Sequence, residues 1–442
     1  MKKTITLFVL ALFVNISHLL GQQPYMSAPE GFGAATTGGG NASPITVSTY
    51  ADLKTALTAS GPAVILVSGT IDFTTLGMMH VVAVDKTLIG LPGATFTNSN
   101  QTTSGILYLS TGSSNVILRN LIFKGPGAWD NNGNDNLTVK SCTKLWVDHC
   151  EFQDGEDGNF DNSAVTDNVT VSWCKFSYLI APRPVGSGSG TTADHRFSDL
   201  IGGSSTDAPA DKHYSITWQN CWWSEGCVER MPRARNAELH ILNCYYYTST
   251  TKSLALGIGG GVDSSTCYVE NSDFAKVATV FKDYSSSDGG TVKLTFSSCL
   301  NGGTSTSKPA PKPSYSYTTY PASDVAAAVT NPYCGAGATL IVTPNGAISA
   351  SCFPLDIASS TVSSSSTLVY PNPSTGSFTV KGKEAMKSIS ISSMSAEVVY
   401  SNSNIQTGNE LEIQGDFEQG VYLIKIQNLS GSVEVIKFVK TK

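Results

Sequence analysis

Seven segments of this chain can be laid over one nine-residue template: an alternating apolar stretch, a small or apolar seventh residue, and an aromatic ninth. They are Asn115 to Phe123, Lys144 to Phe152, Asn168 to Phe176, Ser215 to Trp223, Glu238 to Tyr246, Thr266 to Phe274 and, less closely, Lys293 to Asn301. Their seventh residues, Leu121, Cys150, Cys174, Cys221, Cys244, Ser272 and Cys299, are separated by 29, 24, 47, 23, 28 and 27 residues. One strand pattern repeated at this interval cannot bury its apolar face alone. It has to stack on copies of itself, which predicts a right-handed parallel β-helix, an all-β fold. Propeller blades are the competing repeat, but they need ~40 to 45 residues and four strands with tight hairpin signals. Those signals are missing. The interval of 47 equals about two of the shorter ones, so that turn holds either a degenerate strand or a long insertion.

Stacked coils place equivalent residues one strand spacing apart, roughly 4.8 Å. The five cysteines at the seventh position are therefore expected as an inward ladder of packed thiols, because parallel Cβ vectors do not permit a disulfide. Cys334 and Cys352 lie outside the repeat and are the expected bonded pair. The ends of a coil need covers. Thr49 to Asp52 reads as a capping box ahead of Leu53, Ala56 and Leu57 at helical spacing, a helix to plug the first coil. The Pro-rich stretch from Ser307 to Pro321 and the stretch from Asp324 to Val329 are expected over the last coils.

The composition fits an exported β-rich protein: 14% charged residues, 41 Gly, and long Ser, Thr and Asn tracts. A net charge of −6 argues against a nucleic-acid footprint. Met1-Lys2-Lys3, the apolar run to Leu20 and Gly21 read as a signal peptide over residues 1–21. The run is broken by Asn15 and His18 and falls short of the ~20 residues a span requires, so no transmembrane span is expected in the mature chain. Residues 22–355 form the expected β-helix domain. Residues 356–367, rich in Ser, read as a linker. Residues 368–442 carry short alternating strands, among them Ser377 to Val380, Ser388 to Ser392 and Val421 to Ile426, and are expected to form a small β-sandwich. A carbohydrate-binding module is one reading of that segment. Its Tyr370-Pro371-Asn372-Pro373, Gly420-Val421-Tyr422 and closing Ile436-Lys437-Phe438-Val439-Lys440, however, resemble the C-terminal sorting domain of the type IX secretion system. That resemblance implies the type IX machinery as a partner and an extracellular or cell-surface destination.

Between two of the strands lies Asp154-Gly155-Glu156-Asp157-Gly158-Asn159-Phe160-Asp161-Asn162. Four carboxylates this close need solvent or a cation, and hard oxygen donors suit calcium rather than zinc. No EF-hand is present, since a loop beginning at Asp130 has Asp135 where the turn glycine belongs. A second group, Glu229-Arg230-Met231-Pro232-Arg233-Ala234-Arg235, sets three guanidinium groups around one proline, and such forks match carboxylates in bidentate fashion. A salt-bridged surface is the plainer reading of the arginines, and a solvated acidic turn that of the acids.

Residues from about Gly31 to Tyr247 resemble the pectate lyase family of polysaccharide lyases. The motifs are Gly31-Phe32-Gly33-Ala34, Val67-Ser68-Gly69-Thr70-Ile71, Leu145-Trp146-Val147-Asp148-His149-Cys150 and Val169-Thr170-Val171-Ser172-Trp173. The resemblance implies calcium ligands at Asp135, Asp157 and Asp161, a proton-abstracting Arg230, and Arg235 as a ligand of substrate carboxylate. Arg233 is extra to the family motif and is expected either to add to substrate binding or to hold an acid. Asp148 and His149 are expected to fix a turn by hydrogen bonds. Two positions depart from the family. A further family acid would fall on Gly133, and a family lysine before Gly203-Ser204-Ser205 is absent, with Arg196 the cation nearest its place. Ala181 to Thr192, with Arg183 between two prolines, reads as a loop beside the cleft.

The implied activity is calcium-dependent β-elimination on de-esterified polygalacturonate, giving 4,5-unsaturated oligogalacturonides, by a monomer. Arginine is ordinarily protonated up to pH above ~12, so an arginine base implies an alkaline optimum. A pectin lyase acting on methyl-esterified chains and a non-catalytic polysaccharide-binding coil are the alternatives. Hydrolysis by paired carboxylates has the least support.

Overall fold

The computed structural model describes residues 26–129, 133–183, 194–349, 367–393, 398–403, 405, 408–415, 417–430 and 432–441. The expected signal peptide and residues 356–366 of the expected linker lie outside them. The described residues fall into two compact units, 26–349 and 367–441.

The first unit is a right-handed parallel β-helix. Each turn contributes a strand to a ten-stranded parallel sheet, then one to each of two eight-stranded parallel sheets. In one turn these are Thr143–Asp148, Glu151–Gln153 and Phe160–Ser163, and the next turn begins at Asp167–Ser172. The template residues supply both the strands and the corner between the first two sheets. Its sixth position is Asn120, His149, Trp173, Asn220, Asn243, Asn271 and Ser298, and all seven have positive φ, between 46° and 57°. Four are asparagine, which tolerates this left-handed conformation better than most residues. The Asn120 amide also donates to Gly90 O at 2.8 Å and that of Asn243 to Asn271 O at 3.1 Å, bonding turn to turn.

Inside, the ninth-position aromatics stack as the template predicts. Phe123, Phe152, Phe176, Trp223, Tyr246 and Phe274 form a file with centroids 4.3 to 5.5 Å apart and planes within 15°. Each pair contributes ~0.5 to 1.5 kcal/mol beyond its buried area. Cys150, Cys174, Cys221 and Cys244 are fully buried beside this file, and Cys299 is half-buried. All five are free thiols, as the parallel ladder requires. Cys334 is disulfide-bonded; its expected partner Cys352 lies outside the described residues.

The long interval is one turn with an insertion. Strand Asp167–Ser172 pairs directly with Tyr214–Gln219, so no strand is skipped. The extra chain leaves after Lys175–Ser177 and returns at Leu200–Ile201 in the third sheet. At the N-terminal end, helix Tyr50–Thr58 is capped by Thr49, whose Oγ1 accepts from Asp52 N at 3.2 Å, and it buries Leu53, Ala56 and Leu57. The segment after Gly302 does more than cover the last coil. Thr295 Oγ1 donates to Ala310 O at 2.8 Å. The chain then runs back along the ten-stranded sheet: Tyr315 OH bonds Thr217 and His240, Tyr320 OH donates to Asn220, and Leu340 N donates to Asn120. Helix Ala322–Val329 packs against Tyr245–Tyr247 and Asp273–Lys276, the last two strands of the second sheet, as expected, and its Val325 and Val329 also join a cluster with Trp173.

The second unit has a three-stranded and a four-stranded antiparallel sheet. Their inner faces close on Phe378, Val380, Ile389, Ile391, Ile424 and Phe438, the arrangement of a small β-sandwich.

Candidate active site

Two strands of the third sheet alternate cleanly. In Leu137–Lys140 and Phe160–Ser163, Leu137, Val139, Phe160 and Asn162 are buried, while Thr138 and Asp161 face outward as register partners. Asp135 precedes the first of these strands, and Asp157 lies in the loop entering the second. The fold separates the acidic run by function. Asp154 turns away to accept from Leu179 N and Ile180 N at 2.7 and 2.9 Å, and Glu156 accepts from Ser104 Oγ at 2.7 Å. Asp157 and Asp161 instead converge with Asp135, each offering an oxygen within 4.8 Å of the others.

Each carboxylate is positioned from more than one side. Asp161 Oδ1 accepts from Leu200 N at 2.9 Å, Asp135 Oδ2 from Thr138 Oγ1 at 2.8 Å, and Asp157 Oδ1 lies 2.7 Å from His195 Nε2. Gly158 lets them approach, because a Cβ there would sit 2.8 Å from Asp135 Oδ1 and 3.2 Å from Asp161 Oδ1. Burial, and then repulsion from Asp161 and Asp157, raises the Asp135 carboxyl well above the usual range. Burial likewise holds Asp161 up at about 7, with Asp157 adding to it and Arg230 opposing. Asp157 goes the other way: burial works against its ionised form, but the His195 bond and the charge of Arg230 outweigh it.

These residues fit a hard cation. Three carboxylates converge, and the buried Asp135 Oδ1 has no hydrogen-bond partner; such an oxygen is costly unless something positive meets it. At Gly133, where the family would have a further acid, a Cβ would be 3.9 Å from Asp157 Oδ2.

Arg230 is held at the same place, in the left-handed region at φ 59°, a conformation that costs a non-glycine residue and persists only when neighbours fix it. Its carbonyl accepts from Asp199 N at 2.7 Å, and its guanidinium lies 4.7 Å from the Phe197 ring centroid. Arg233 and Arg235 follow three and five residues further on, at strand Arg233–Ala234, and meet at Asp288. Arg233 Nη2 donates to Asp288 Oδ2, and Arg235 Nε lies 3.2 Å from the same oxygen. Arg235 Nη1 also donates to Gly202 O at 2.8 Å. Arg196, the expected stand-in for the family lysine, is gripped by Asp194 through Nε at 2.7 Å and Nη2 at 2.6 Å. The group beside the acids in that segment is its neighbour His195, whose Nε2 lies 2.7 Å from Asp157 Oδ1, a contact the sequence gives no signal of. Asp148 and His149 lie elsewhere, fully buried. Asp148 accepts from Arg119 Nε at 2.8 Å and Ser172 Oγ at 2.6 Å, and pairs with His149 Nδ1 at 3.0 Å.

Residues 1–339 match the family model described as pectate lyase. The chain belongs to the pectate lyase family. Residues 368–441 match the model of a secretion system C-terminal sorting domain. Among curated relatives, the pectate lyase family chain is 31% identical over 246 residues to the pectate trisaccharide-lyase of Thermotoga maritima, a match covering 54% of this chain and 58% of that protein. It is 30% identical over 315 residues to pectate lyase B of Colletotrichum gloeosporioides, covering 68% and 83%. The first of these matches thus spans little more than half of the relative's length. Among solved structures, a Bacillus subtilis pectate lyase mutant aligns with TM-score 0.54 at 22% identity, covering 72% of this chain and 99% of that one. The major allergen of cedar pollen aligns with TM-score 0.53 at 19% identity, covering 67% and 90%. At such identities the likeness is one of fold. No helix among the described residues is long and apolar enough to cross a membrane.

Proposed function

We propose that this protein is an exported pectate lyase that cleaves de-esterified α-1,4-polygalacturonate by β-elimination. The observation that carries the reading is the placement of Arg230 against Asp135, Asp157 and Asp161, close enough for its charge to act on all three. Asp135, Asp157 and Asp161 would hold calcium, which when bound offsets their mutual repulsion and draws charge from a uronate carboxylate, acidifying the carbon next to it.

The protein residues then have distinct tasks. Arg230, in its deprotonated guanidine form, takes the C5 proton at a nitrogen. The electron pair of the broken C5–H bond becomes the C4=C5 double bond, the C4–O bond breaks, and the departing glycosidic oxygen takes up a proton from solvent water. Phe197 flanks the guanidinium and His195 anchors Asp157, so the base and the acids are pre-positioned. Arg235, Arg233 and Arg196 bind carboxylates of neighbouring sugars, a task suited to guanidinium forks. A base that must lose its proton before it can act favours alkaline conditions. The C-terminal unit directs export by the type IX route, and the enzyme acts as a monomer outside the cell or at its surface.

The test is ultraviolet absorbance of unsaturated uronides from polygalacturonate. Calcium-dependent signal that rises toward alkaline pH, disappears with chelator and disappears in Arg230→Ala is expected. No signal from the wild-type protein with calcium would overturn the reading. Greater activity on methyl-esterified pectin would replace pectate with pectin as the substrate.

A further inference from the structure

The outward row of the third sheet continues beyond the acids. Asp161 is in register with Thr138, Thr138 with Tyr108, and Tyr108 with His80. None of these pairings is shifted, so the four side chains lie in line along the axis of the coil. The flanking residues Met79, Val81, Leu107 and Leu109 are buried, which fixes His80 and Tyr108 on the outer face. Their rings stack, with centroids 4.4 Å apart and planes 28° from parallel. At one strand spacing of roughly 4.8 Å per step, Tyr108 lies about 10 Å and His80 about 14 Å from the Asp161 position.

We propose that the His80 and Tyr108 rings form a distal subsite for a pyranose ring of the polymer, on the far side of the acids from the arginines. The inference rests on the pectate lyase reading above. Its argument is the chemistry of the row. Strand Arg233–Ala234 enters the sheet on the opposite side of Asp161, in register with Leu200, so cations occupy one flank and an aromatic platform the other. A sugar ring carries a face of C–H groups that matches an aromatic face, while its hydroxyl and carboxylate rim stays in water. Tyr and His combine a flat apolar body with a polar edge and suit such a half-wet contact. The aromatics of the interior file are buried and structural; this stacked pair is on the outside of the sheet that presents the acids. A polymer lying along the coil axis would cross the platform, the acids and the arginines in that order.

The subsite should be felt by long substrates and not by those too short to reach it. Steady-state kinetics are measured for wild type, Tyr108→Ala, Tyr108→Trp and His80→Ala on polygalacturonate and on trigalacturonate, with polymer binding followed by affinity electrophoresis. Tyr108→Ala is expected to raise KM for the polymer on the order of fivefold, more than for the trimer, and Tyr108→Trp to restore it. Equal changes on both substrates, or none, would overturn the subsite. The two readings fail separately: if the wild type produces no unsaturated product, the lyase reading falls. The platform is then judged by polymer affinity, with loss in Tyr108→Ala supporting it and unchanged or absent polymer binding overturning it. Thermal unfolding of each variant distinguishes a folding defect from a lost contact.

Discussion

Arg235 Nε lies 3.2 Å from Asp288 Oδ2, an oxygen that also accepts from Arg233. One carboxylate, contributed by a later turn of the coil, thus holds the two arginines proposed for substrate binding. Burial opposes the ionised form of Asp288, but the bonds and charges of Arg233 and Arg235 prevail and its carboxyl is held below the usual range.

Asp288→Asn should therefore loosen both guanidinium groups at once. Hydrogen bonds to charged groups contribute ~1.5 to 3 kcal/mol, and a loss of about 2 kcal/mol in urea unfolding is expected, together with a raised KM for polygalacturonate. A variant with unchanged KM would separate these arginines from substrate binding.

Gly158→Ala should damage the acidic site while sparing the coil. The new methyl carbon would meet Asp135 Oδ1 at 2.8 Å and Asp161 Oδ1 at 3.2 Å, closer than ordinary contact. Disturbing the partners of a metal site typically weakens affinity about 10- to 100-fold, and a calcium titration by calorimetry is expected to show a loss of at least about tenfold. Equal affinity in the variant would place the cation elsewhere.

The acids also predict a pH signature without calcium. Asp161 keeps its proton up to about 7 because it is buried and close to Asp157, whereas an unfolded aspartate releases it near ~4. Across that window the folded state binds more protons than the unfolded chain, so this group's contribution to stability falls as pH rises. Asp135 acts in the same direction. In chelator, the Tm advantage of Asp161→Asn over wild type should grow between pH 4 and pH 7. A constant difference would contradict the burial penalty.

The cysteine ladder yields a chemical prediction. Among the described residues, seven of the eight free cysteines are buried and Cys299 is half-buried, and thiols without access react slowly. An aromatic disulfide reagent should find at most Cys299 in the native protein, and eight thiols once it is unfolded without reductant. Fast reaction of several thiols in the folded state would mean that the interior file is open.

The sequence pattern exposed the coil because each turn repeats the same burden: an apolar strand, a packed seventh residue and an interior aromatic. It exposed less of the corners. The recurrence of Asn120, Asn220, Asn243 and Asn271 at the sixth position was available as a signal of left-handed turns, but His149, Trp173 and Ser298 at the same position hide it. Asp135, Asp157 and Asp161 were legible through the resemblance to the pectate lyase family, and the structure brings them together. His195 and Asp288 were not, since each reaches its partners across turns: Asp157 and His195 are separated by the inserted loop, and Arg235 and Asp288 by more than one strand of each sheet. Arg196 stood in the sequence as the replacement for the family lysine, and only the fold shows that Asp194 holds it.

The unshifted register from His80 through Tyr108 and Thr138 to Asp161 makes the outer face of the third sheet a ruler with a fixed graduation. Inserting one whole coil between Leu107–Leu109 and Leu137–Lys140, which now pair directly, would move the rings and the acids apart by a single strand spacing. In such a molecule the length of sugar chain that is gripped changes in integers, by counting turns, while the cutting point stays where it is.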